Sequence, residues 1–140
     1  MGGYDEGMAE GRNKLLLSII ELGGYPDFRP LYQSFSYEVV VETRMRKAIA
    51  SMKQNKPDVI VAEFNFQSDF RDRTSSLESL LAVVQRMPDT KVIVFYEKEF
   101  STQFEQLYQR LPIHHALTFP IDAFALKECL QVESRISLAE

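Results

Sequence analysis

The sequence predicts a doubly wound α/β sheet, and three observations lead there. From Lys14 onward, short apolar and largely β-branched runs alternate with amphipathic helical patterns. Two of the runs, Val59–Ala62 and Val92–Phe95, are apolar on successive residues, as strands covered on both faces must be. The 140 residues are 45% hydrophobic and 26% charged, which suits one domain with a sizeable core.

Residues 1–13, MGGYDEGMAEGRN, are Gly-rich, polar and without period, and read as a disordered leader or an expression remnant outside the fold; the domain is expected over 14–140. The expected strands are Leu15–Ile20, Glu38–Val41, Val59–Phe64, Val92–Tyr96 and Ala116–Phe119. Between and after them, helical periodicity covers Met45–Gln54, Leu77–Arg86, Thr102–Arg110 and Ala123–Ile136. Ser75 and Glu78 form a capping box before the stripe Leu77, Leu80, Leu81 and Val84, which Pro88 ends. A further helix of two to three turns is expected near Pro26 or Pro30, since proline is tolerated only in a first turn. Parallel strands joined through helices require right-handed crossovers.

A net charge of −4 argues against a broad nucleic-acid footprint, which needs a basic face. No apolar run approaches membrane-span length, so no membrane association is expected. The single Cys129 allows no internal disulfide and reads as a small core residue of a cytoplasmic protein. His114-His115 is a weak metal pair, because adjacent strand residues point to opposite faces. With no Gly-rich phosphate loop, nucleophile elbow or Cys/His framework, no metal, cofactor or enzymatic activity is expected.

Three segments resemble the response-regulator receiver family. Lys47–Val61, KAIASMKQNKPDVIV, has the family's helix, lysine-rich turn and Pro-Asp before an apolar strand. Pro88–Phe95, PDTKVIVF, matches its turn and fourth strand, and Ala116–Asp122, ALTFPID, its last strand and following turn, with Pro120 kept. The resemblance spans Lys14 to about Ser137 and implies a CheY-like, flavodoxin-like five-stranded sheet of order 2-1-3-4-5.

The same resemblance implies a phosphotransfer pocket: two acidic residues for Mg²⁺, an aspartate acceptor, a Thr or Ser, and a Lys. Here those positions fall on Ile19 and Ile20, Glu63, Tyr96 and Phe119, with Glu21 the only carboxylate near the first pair. Without metal or lysine, phosphate charge would stand unopposed in a partly apolar pocket. The expectation is a pseudo-receiver: a non-enzymatic, phosphorylation-independent protein-interaction module of bacterial signalling. One alternative is an atypical receiver phosphorylated on Glu63 or Asp69; another is a small-molecule sensor using the altered pocket. Glu63 itself reads first as a solvated carboxylate at a strand end, then as a phosphoaspartate mimic, and last as a weak acceptor.

Two surfaces are candidate contacts for a protein partner. The loop Phe66–Thr74 is longer than its family counterpart and carries Phe70, Arg71 and Arg73, although a plain solvated loop is the favoured reading. Phe100, Phe104, Tyr108 and Phe124 make the face of the fourth helix, fifth strand and fifth helix aromatic-rich, which receivers use for homodimers and partners.

Overall fold

The structure, a computed structural model, describes residues 14–66 and 76–139. The readings placed on residues 1–13, on Asp69, Phe70, Arg71 and Arg73, and on Ser75 as a helix cap lie outside the described residues. The elements in chain order are β1 (Lys14–Ile19), α1 (Arg29–Ser34), β2 (Tyr37–Glu42), α2 (Met45–Gln54) and β3 (Val59–Phe64). They continue with α3 (Ser76–Val84), β4 (Lys91–Tyr96), α4 (Ser101–Arg110), β5 (His115–Thr118) and α5 (Ala123–Ala139). The five strands form one parallel sheet in the order β2-β1-β3-β4-β5.

Strand alternation divides the core into two layers. Leu17, Ile19, Ile60, Ala62, Val92 and Val94 pack under α2, α3 and α4, meeting Ala48, Met52, Leu80 and Phe104. Leu16, Val59, Val61, Ile93 and Phe95 face the other way, toward Tyr32 of α1 and Leu126 and Leu130 of α5. β3 is buried at all six positions because it lies mid-sheet between two helical layers. Its burial is why no period-two pattern is visible in that segment.

Some elements differ from the sequence expectation for local reasons. α1 spans only six residues, less than the two to three turns expected. Pro30 occupies its first turn, and the chain turns at once into β2 through Ser36, at φ 69°. β5 stops at Thr118, one residue early, just before the cis Phe119–Pro120 peptide, although Phe119 N–H still donates to the Tyr96 carbonyl at 3.1 Å. α5 continues to Ala139 rather than Ile136.

Phe104 is a correction to the proposed interaction face. It is 2% exposed and stacks on Tyr96 with ring centroids 4.1 Å apart, so it belongs to the core. Such a stack adds about 0.5–1.5 kcal/mol beyond the area it buries. Phe100 is half-buried against Phe66 at 5.3 Å. Only Tyr108 and Phe124 of the four remain exposed.

The two histidines do separate work, as their opposite strand directions require. His115 Nε2 lies 2.7 Å from Glu133 Oε2 and ties β5 to α5. His114 accepts the Val92 N–H on Nδ1 at 3.0 Å, while its own N–H donates to the Val92 carbonyl. That acceptor role requires a neutral ring. Desolvation first, and then the Lys91 charge, hold the His114 pKa below the usual histidine value. Cys129 is half-buried against the α1/α5 layer, and burial pushes its thiol pKa up, as befits a packing residue.

Since folded His114 releases its proton more readily than the unfolded chain, its contribution is complete above the unfolded value of about 6.5. It is lost as pH falls from there through the lower folded value. Thermal melts between about pH 7 and pH 5 are expected to show falling stability, with a smaller fall in His114→Gln.

Candidate functional site

The site forms where β1 and β3 end side by side. Because β1 neighbours β3, the chain leaving β1 must cross the end of β3 before reaching α1. Ile20 N–H donates to the Glu42 carbonyl at 2.9 Å, and the chain then turns through Gly23 and Gly24 at φ 71° and 89°. These left-handed conformations favour glycine. The two successive amides entering the turn, those of Leu22 and Gly23, both aim at Glu63.

Glu63 is 1% exposed, which overturns its reading as a solvated carboxylate. Its Oε1 accepts the Leu22 N–H at 2.9 Å and Asn65 Nδ2 at 3.2 Å. Its Oε2 accepts the Gly23 N–H at 3.2 Å and the Tyr25 hydroxyl at 2.6 Å. Two donors on each oxygen stabilise the buried carboxylate, since charge-assisted bonds offset the lost hydration. Aspartate would fall short of the loop by one C–C bond, about 1.5 Å. The extra methylene lets the side chain grip the loop directly.

The surrounding groups reinforce this arrangement. The Tyr25 ring packs edge-on to Phe95 at 5.0 Å and lies 5.9 Å from Phe119. Burial, and then donation to Glu63, push its hydroxyl pKa far above the usual tyrosine value. Asn65 Nδ2 also reaches Glu21 Oε1, at 3.4 Å. The Glu21 pKa is raised, chiefly by desolvation and then by the Glu63 charge, with the Asn65 bond opposing.

The other predicted pocket residues do not converge. Ile19 is 0% exposed and points into the α2–α4 layer, and Tyr96 is on that same side against Phe104. Phe119 lies on the opposite layer with Tyr25 and Phe95, Ile20 is half-buried beside Gly23, and Pro120 is exposed. The small-molecule pocket envisaged between Ile19, Ile20, Tyr96 and Phe119 is therefore corrected: those residues face different layers, and the Tyr25 ring fills the space beside Glu63. Tyr25, Asn65 and the two loop amides were missed by sequence reasoning. The Gly23-Gly24 pair marked only a turn, and nothing in it named the carboxylate it would meet.

Chemically, the arrangement disfavours Glu63 as a nucleophile. Both oxygens are engaged and buried, and no group of three His, Cys, Asp or Glu residues is placed to hold a metal among the described residues.

The chain has the fold of response-regulator receiver domains. A response regulator receiver domain protein from Clostridium thermocellum superposes with TM-score 0.70 at 15% identity, covering 91% of this chain and 99% of that one. The Vibrio cholerae chemotaxis protein CheY4 gives 0.64 at 20% identity over 86% and 98% of the two chains. A member of a streptococcal family described as redox sensors evolved from two-component response regulators gives 0.59 at 16% identity, over 87% of this chain and 51% of that one. The sequence matches no family model and no curated protein.

Two substitutions test the site. Glu63→Asp is expected to destabilise the chain by about 1–3 kcal/mol, because buried donors lose their acceptor. Hydrogen exchange should report faster exchange at Leu22 and Gly23 while strand amides stay protected. Glu21→Gln is expected to do the opposite. A raised folded pKa means the ionised group is held at a cost at neutral pH, and that cost fades as pH falls through the folded value. Urea unfolding should therefore find the glutamine variant more stable at pH 7, with its advantage shrinking toward pH 4.5.

Proposed function

We propose that this chain is a pseudo-receiver: a phosphorylation-independent interaction module of bacterial signal transduction, acting in the cytoplasm through protein contacts. The observation that carries this reading is Glu63, whose two oxygens are saturated by Leu22, Gly23, Tyr25 and Asn65. In the receiver scheme the β1–α1 loop is linked to the acceptor through a metal ion. Here the glutamate takes hold of that loop itself, so the conformation is set by sequence instead of by phosphoryl transfer. Ile19 buried in the core and Phe119 packed on aromatic rings supply neither metal ligand nor ammonium.

The receiver fold supports a signalling role, and its streptococcal relative in shape is described as having evolved from response regulators into a redox sensor. That description supports the idea that the frame can carry work other than phosphotransfer. Tyr108 and Phe124, still exposed on α4 and α5, support that face as a site for a partner or a second copy.

The test is incubation of the full chain with Mg²⁺ and a small acyl phosphate, followed by intact mass and peptide mapping. An unmodified mass is the expected result. Stable addition of one phosphoryl group to Glu63 or Asp69 would establish the atypical-receiver reading in its place.

A further inference from the structure

Among the described residues, β2 is an edge of the sheet, paired with β1 alone. The Glu42 carbonyl points inward, where it accepts the Ile20 N–H. Main-chain directions alternate along a strand, so the N–H and C=O groups of Val39 and Val41 point outward. Val41 is 37% exposed, and no described strand pairs on that side. Sheets commonly protect such an edge with lysine, proline or a bulge. The edge sequence, YEVVVE, has neither residue, and its only charges are two glutamates.

Glu38, Val40 and Glu42 share the side of the sheet that carries α2, with Val40 packed against that layer. Neither glutamate takes part in an ion pair among the described residues. Glu38 and Val40 also line a groove of about 830 Å³, with Leu15, Pro57 and Met87 as apolar lining and Lys53, Lys56, Asp58 and Asp89 as its other charged residues. Its walls are stitched together. Thr90 Oγ donates to the Pro57 carbonyl at 2.7 Å, Asp58 N–H to the Leu15 carbonyl at 2.8 Å, and Lys91 N–H to the Asp58 carbonyl at 3.0 Å. Leu15 N–H donates in turn to Asp58 Oδ2 at 2.8 Å. The groove lies at the N-terminal ends of β1 and β3, away from the Glu63 cage at their C-terminal ends.

We propose that β2 is the docking edge for an extended peptide segment of a partner protein, added to the sheet as a further strand. Main-chain bonds to Val39 and Val41 supply the affinity, and side-chain pairing supplies the selection. The segment carries Lys or Arg beside Glu38 and Glu42, because opposite charges on adjacent strands attract and like charges repel. Between them it carries an apolar residue beside Val40, at the mouth of the groove.

The experiment titrates the isotope-labelled full chain with a short peptide of alternating lysine and valine, and with one of alternating glutamate and valine. The lysine peptide is expected to bind saturably and to slow amide exchange at Val39 and Val41. Its affinity should fall by about tenfold or more in the Glu38→Lys/Glu42→Lys variant, which turns two attractions into repulsions. Val41→Pro removes an outward N–H at a position where an edge tolerates proline, and should lose the binding while keeping the fold. If that variant unfolds, the charge-reversed variant decides the matter alone. Equal binding of the two peptides, protection elsewhere, or no saturable binding would overturn the proposal. So would a peptide-free dimer formed through Val39 and Val41, which would assign the edge to a second copy.

Discussion

A carboxylate buried to 1% exposure at the end of the central strand needs donors, and the chain between β1 and α1 is shaped by supplying them. Leu22 and Gly23 contribute amides, Tyr25 its hydroxyl and Asn65 its side-chain amide. Each bond fixes more than itself. Tyr25 is drawn inward and its ring joins Phe28, Phe95 and Phe119, which links α1 and the β5–α5 turn to the same cluster. Removing the carboxylate would leave several buried donors unsatisfied at once, which costs more than the bonds contribute in isolation.

This cage occupies the pole where doubly wound sheets commonly hold their ligands. Among the described residues, the Glu63 carboxylate is met by backbone, hydroxyl and side-chain amide donors. Two surfaces stand apart from this pole: Tyr108 and Phe124 on one side, and the edge of β2, unpaired among the described residues, on the other.

The fold was legible because its signals are local and redundant. Apolar strands such as Val92–Phe95 can hardly be anything but covered on both faces, and α2 has the same boundaries as its periodic stripe. α1 was less legible, since two prolines constrain it and only the approach of β2 decides its length. Phe104 and Tyr108 show the limit of a helical stripe. Their spacing places them on one face, but a small rotation of α4 over the sheet buries the first and leaves the second 41% exposed.

The sequence by itself determined the alternation of strands and helices and the two-layer core. These follow from residue type and period, which are properties of the chain. Only the tertiary structure decided what Glu63 does. Three of its four partners lie about forty residues upstream in the chain, and two of those are backbone amides, which have no residue identity to read. Whether a glutamate at a strand end meets water or a ring of donors depends on which loop crosses above it, and that is fixed by strand order.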